Sequence, residues 1–164
     1  AACRSHDALF ILNDSCEAAV AACADGVHIG QQDGTVAEAR QLLAPSMLLG
    51  VSTHNKSQLV RACSQDIDYL GVGPVFRSDT KSFDTFPGTE YIARAAEFAD
   101  RPWFAIGGID DANIDDTRQA GAQRVAVSNA VIAAADPEQA ARQLKQVLQC
   151  PAAFVPPSVR FEQG

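Results

Sequence analysis

Basic charge is scarce in this 164-residue chain: 13 lysines and arginines stand against 20 acids, a formal net charge of −7. A phosphate backbone demands a basic face, so nucleic acid is excluded as the main partner. A small phosphorylated ligand needs only local donors and a metal, and remains open. Long apolar runs are also lacking. Nothing approaches the ~18 residues that a membrane span requires, and the opening AACRSHDALF gives no expectation of a basic, apolar leader. Five cysteines (Cys3, Cys16, Cys23, Cys63, Cys150) are odd in number and form no C-x-x-C pair, which speaks against a disulfide framework or a zinc site. Cys16 and Cys23, seven apart on one helical face, are expected to be buried free thiols in a reducing cytoplasm. Neither His28 nor His54 has a serine or cysteine at nucleophile spacing, so a hydrolase triad has little support. His28 is expected to be packed and hydrogen-bonded, and Trp103 to lie in the core. No G-x-G-x-x-G follows a strand, against a dinucleotide fold.

What is present is a β–α repeat. Apolar runs stand at 8–13 (ALFILN), 26–30 (GVHIG), 47–52 (MLLGVS), 68–73 (DYLGVG), 102–107 (PWFAIG) and 124–128 (RVAVS). They are apolar nearly throughout, as parallel strands covered on both faces are. Helix signals lie between them. Thr35 and Glu38 form a capping box ahead of 36–43, Ser15 can cap 17–24, and Asn55 or Ser57 the helix through 59–63. Asp136-Pro137 opens a last helix to about Gln149, and Gly121 stops the one over 113–120. Right-handed crossovers then give a parallel sheet with helices outside; a doubly wound sheet and a (βα)8 barrel both satisfy the pattern. By length, residues 1–149 make one domain, and 150–164, with three prolines and no periodicity, an irregular C-terminal tail.

Polar and glycine residues gather after the strands: Asn13-Asp14, Asp33, Ser52, Ser78-Asp79-Thr80-Lys81, Gly107-Gly108 and Ser128-Asn129. If all strands are parallel and adjacent, these converge on one rim, where either fold places its ligands. Two carboxylates with asparagine and serine oxygens suit Mg2+. Lys81, beside two hydroxyls, can neutralise a phosphate as a point charge, and Gly107-Gly108 ahead of a helix favours an anion. Each piece alone has a plainer reading as a helix cap, a solvated lysine or a tight turn; joint placement carries the inference.

FILND (10–14), DGVHIGQQD (25–33), GVSTHN (50–55), GVGPVFRSDTK (71–81), AIGGI (105–109) and RVAVSNAV (124–131) closely resemble thiamine-phosphate synthase in order and spacing, over about Ala1 to Leu148. The resemblance implies a TIM-type (βα)8 barrel. This chain supplies about six of its βα units, with the first two strands and a Gln-x-Arg-x-Lys stretch missing. It also implies a cytoplasmic transferase that joins 4-amino-5-hydroxymethyl-2-methylpyrimidine diphosphate to a thiazole phosphate, releasing pyrophosphate. Carried over by position, Asn13 and Ser52 contact the pyrimidine diphosphate, Asp14 and Asp33 hold Mg2+, and Lys81 holds the diphosphate, with Lys81 and Ser52 as catalytic residues. Ser78, Asp79 and Thr80 form the loop near the thiazole phosphate, completed by Gly108, Ser128 and Asn129. Asp79 and Asn129 depart from the family pattern, each in a way that weakens binding of the thiazole phosphate. The alternatives are a thiazole tautomerase-like enzyme and a non-catalytic barrel that binds a phosphorylated metabolite. A homo-oligomer or an additional N-terminal domain is also expected.

Overall fold

Six short strands alternate with helices in the computed structural model of the chain, which describes residues 2–77 and 86–149. The strands are β1 (Ile11–Asn13), β2 (Gly26–Ile29), β3 (Leu48–Thr53), β4 (Tyr69–Val72), β5 (Trp103–Ile106) and β6 (Val125–Ala126). They lie side by side in sequence order, and every neighbouring pair is parallel. A doubly wound sheet reverses its strand order midway; this one does not, and it curls into a half-barrel. Each strand falls on one of the six apolar runs.

The helices are α1 (Ala2–Ser5), α2 (Cys16–Ala21), α3 (Val36–Leu42), α4 (Lys56–Cys63), α5 (Gly88–Phe98), α6 (Ile114–Gln119), α7 (Asn129–Ile132) and α8 (Pro137–Gln149). Their starts follow local chemistry. The Thr35 side chain accepts from the Glu38 amide while Glu38 reaches back to the Thr35 amide. Ser15, Asn55 and Asp136 accept from the amides of Ala18, Gln58 and Gln139; each such cap is worth about 1 kcal/mol. Gly121 ends α6, its amide bonding the Arg118 carbonyl and the Ala122 amide that of Thr117. α2 stops earlier than expected. Cys23 takes the same closing position there, in a left-handed conformation (φ 50°), and is exposed. Cys16 alone of the pair is buried, because the helix they were to share ends at Ala21.

One face of the sheet carries the core. Val27, Ile29, Leu49, Val51, Leu70 and Val72 pack on Ala19, Ala39, Leu59, Ala62, Tyr91 and Ala95 from the helices. A second cluster joins Val75, Ile92, Ala105, Ile109, Ile114 and Leu144, and Trp103 packs against both. A fully buried leucine such as Leu70 contributes about 2 kcal/mol. The alternate residues do not continue this apolar pattern. Asn13, His28, Ser52 and Tyr69 lie on the opposite, inner face, with glycines beside the rings: a methyl on Gly50 would meet the Tyr69 ring, and one on Gly71 the His28 ring. The strands are thus covered by helices on one face only.

At the amino ends of the strands two arginines tie loops together. Arg101 donates to the carbonyls of Cys63, Gln65 and Ile67. Arg40 donates to the Met47 carbonyl and, at 2.8 Å, to the Asp68 carboxylate, which also accepts from the Leu49 amide at 2.7 Å.

Candidate active site

The carboxyl ends of all six strands open into one cavity of about 480 Å3. Asn13, Ser52, Gly108, Ser128 and Asn129 lie on its wall. Five residues chosen from four strand ends, spread over more than a hundred positions, therefore meet in one space. Asp14 and Asp33 are exposed and stand just outside the wall, hydrogen-bonded to Asn13 and Gly30, which are on it. Ser78, Asp79, Thr80 and Lys81 lie outside the described residues, as does the tail over 150–164.

Asp14 has a left-handed backbone (φ 73°), its amide bonded to the His28 carbonyl at 2.8 Å. The Asn13 amide donates to its Oδ1. One Asp33 oxygen accepts from the Gly30 amide at 2.7 Å. A Cβ on residue 30 would crowd that oxygen at 2.9 Å. Each carboxylate is thus oriented by one donor and keeps a further oxygen for a ligand. Among the described residues no three His, Cys, Asp or Glu side chains gather as a metal cluster. A pair of carboxylates with neighbouring amide oxygens fits Mg2+, a hard cation that takes oxygen and leaves several positions to water and substrate phosphates.

Ser52 is held from the side. His28 Nε2 lies 2.8 Å from its hydroxyl and His28 Nδ1 lies 3.1 Å from the Tyr69 hydroxyl, while Gln31 donates to the Ser52 carbonyl. Burial pushes the Tyr69 phenol up to about 12, with a smaller push from the Asp68 charge, so it stays protonated at neutral pH. The expected hydrogen bonding of His28 is present, and the same ring also faces the cavity. Its outward neighbours Val27 and Ile29 carried that signal: on a strand, the residue between two core positions points the other way. His54 and Arg77 also line the cavity. His54 Nδ1 donates to the Gly73 carbonyl at 2.5 Å, fixing the turn after β4.

The turn after β5 needs glycine twice over. Gly108 has φ 64°, and a Cβ there would stand 2.3 Å from the Arg77 carbonyl oxygen. Asn113 locks the turn, donating to the Gly108 carbonyl at 2.8 Å and accepting from the Asp110 amide at 3.1 Å. Ser128 is the N-cap residue of α7 with no side-chain cap bond, so its hydroxyl is not spent on the helix.

Fold and cavity together define an α/β half-barrel with a ligand site at the carboxyl ends of its strands. The thiamine monophosphate synthase family description matches residues 1–131. The thiamine-phosphate synthase of Synechococcus sp. (strain CC9311) is 50% identical over 146 residues, 89% of this chain and 41% of that protein. Its counterpart in Nostoc sp. (strain PCC 7120) is 49% identical over 135 residues, covering 82% and 38%. A thiamine phosphate pyrophosphorylase from Pyrococcus furiosus superposes with a TM-score of 0.79 at 32% identity, over 88% of this chain and 69% of that one. A 3-hexulose-6-phosphate synthase shares the fold alone, at 22% identity and a TM-score of 0.59. The chain belongs to the thiamine monophosphate synthase family. It spans about two-fifths of the length of the curated relatives it matches.

Proposed function

We propose that this chain carries the active-site rim of a thiamine-phosphate synthase, which condenses the pyrimidine diphosphate with the thiazole phosphate and releases pyrophosphate. One observation carries the reading: Asn13, Ser52, Gly108, Ser128 and Asn129, picked from the ends of four different strands, share one cavity in a chain of this family. The half-barrel is then six βα units of a TIM-type barrel, and the setting is cytoplasmic, consistent with the free thiols of the described cysteines.

In this reaction the C–O bond between the pyrimidine methylene and the diphosphate breaks, and the thiazole nitrogen forms a new C–N bond to that carbon. Negative charge builds on the leaving pyrophosphate. Lys81 neutralises part of it, and the Ser52 hydroxyl, fixed by His28, donates toward it; such preoriented donors are worth most where charge develops. Asp14 and Asp33 would hold Mg2+, which when bound supplies further charge neutralisation on the diphosphate. Gly108, Ser128 and Asn129, with Ser78, Asp79 and Thr80, hold the thiazole phosphate, so that the nitrogen is presented to the carbon rather than found by diffusion. No covalent enzyme nucleophile is required.

Calorimetric titration with the pyrimidine diphosphate, with and without Mg2+, tests the reading. Mg2+-dependent binding that is lost in Lys81→Ala is expected. Binding of the thiazole phosphate alone would favour the tautomerase-like alternative instead.

A further inference from the structure

The cavity wall has one permanent cation among the described residues, and it is Arg77. The wall's carboxylate, Asp110, is turned to its own loop, where Oδ1 accepts from the Ala112 amide at 3.0 Å. Arg77 has a main chain fixed against the glycine turn. The preceding amides of Val75 and Phe76 bond the carbonyls of Ile106 and Gly107 at 2.9 and 3.0 Å, and the Arg77 carbonyl sits over Gly108. Its side chain is exposed, and no ion pair among the described residues uses it. A chain with net charge −7 thus places a guanidinium, paired with no carboxylate among the described residues, where a left-handed glycine turn and a serine hydroxyl already favour an anion.

The geometry points to Arg77 as a substrate ligand that holds the phosphate monoester of the thiazole substrate; this rests on the synthase reading above. The guanidinium fork matches phosphate oxygens in pairs, which a lysine ammonium does not. The contact of Arg77 with the glycine turn after β5 favours the monoester over the diphosphate assigned to Lys81. Arg77 follows β4 and leans on the turn after β5, whereas the acid pair follows β1 and β2 at the other end of the sheet.

The test titrates the wild-type chain, Arg77→Met and Arg77→Lys with the thiazole phosphate, with inorganic phosphate, and with the pyrimidine diphosphate plus Mg2+. In Arg77→Met the affinity for both monophosphates should fall roughly tenfold to a hundredfold, the range for a charged hydrogen-bond pair. Arg77→Lys should keep part of it, and diphosphate affinity should not move. Equal monophosphate affinity in wild type and Arg77→Met overturns the assignment, as does a wild-type chain that binds neither monophosphate. A wild type that binds inorganic phosphate through Arg77 but ignores the thiazole phosphate supports the anion site and sinks the synthase reading.

Discussion

A methyl group added at Gly50 would stand 2.0 Å from Cζ of Tyr69 and within 2.5 Å of both its Cε atoms. Gly50 and Tyr69 are register partners on adjacent parallel strands, and the far side of both strands is buried. The strands therefore cannot slide apart, and in Gly50→Ala the ring must leave its place. Overpacking of this kind costs about 1–3 kcal/mol. Losing the contact between the phenol and His28 adds about 0.5–1.5 kcal/mol. Alanine restricts the unfolded chain more than glycine does and returns about 0.4–1 kcal/mol. The net loss is about 2 kcal/mol, a fall in melting temperature of about 4–8 °C for a domain of this size.

Urea unfolding followed by fluorescence of Trp103, the one tryptophan, measures the loss. The decisive comparison is Gly50→Ala in a Tyr69→Ala background. With the ring gone, the new methyl has room, so the same substitution should be neutral or slightly stabilising. The two changes then couple by at least about 1 kcal/mol, beyond the ~0.5 kcal/mol scatter of independent sites. If the two penalties add within that scatter, the ring does not depend on the missing side chain, and the account of the inner face is wrong.

Tyr91 places its hydroxyl 2.8 Å from Thr53 Oγ1 and 3.1 Å from the Asn55 carbonyl, in the core. Tyr91→Phe should cost about 1–2 kcal/mol in the same unfolding assay, by leaving the buried Thr53 hydroxyl oxygen without its donor. Burial pushes both the Tyr91 and Tyr69 phenols up to about 12. Their protonated form is thus favoured in the fold: stability is intact below the unfolded phenol value of about 10 and is lost as pH climbs through 12. Melting curves at rising pH should show this alkaline limb, and Tyr91→Phe should shrink it. Asp68 governs the acid side. Burial alone would raise its carboxyl, but the Leu49 amide and the Arg40 guanidinium outweigh that and hold it below the usual range. Stability from this group is present above the unfolded value of about 4 and is lost as pH falls below it. Asp68→Asn should flatten the fall in melting temperature below about pH 4.

Much of this architecture was legible in the chain because parallel strands announce themselves as unbroken apolar runs, and because caps are local chemistry. Thr35 with Glu38, Asn55, Asp136 and Gly121 each act within a few residues of themselves. What was hidden has physical reasons too. α5 opens on Pro87 with no side-chain cap bond, and α7 is a single turn, so neither leaves a start signal. The inner face was masked because glycine and tyrosine do not interrupt an apolar run, although Gly50, Tyr69 and Gly71 serve the ligand side of the sheet. Cys23 was misplaced because a cysteine in a left-handed cap is rare enough that helical spacing looked the better guide. Within the site, Asn13, Ser52, Gly108, Ser128 and Asn129 could be found by asking only what ends each strand. His28 could be found only through its flanking core residues Val27 and Ile29, and His54 and Arg77 not at all, since their places depend on how the turn after β4 lies against its neighbours.

The order of the strands also arranges the chemistry of the rim. Because β1 to β6 follow one another in space as in sequence, the residues after them form a graded series. Two oriented carboxylates come first, then Ser52 with its imidazole and phenol, then a glycine turn with a free hydroxyl and a guanidinium. Parallel neighbours stand about 4.8 Å apart, so from β2 to β5 the rim runs about 14 Å. A metal-bound diphosphate and a monophosphate ester are both anionic, and in one small pocket they would repel. If the two sites are those proposed above, spacing them by three strands gives each its own counter-charge. On the proposed reading, the simplest βα order already solves the main electrostatic problem of the reaction, which is to bring two phosphorylated substrates together without bringing their phosphates together.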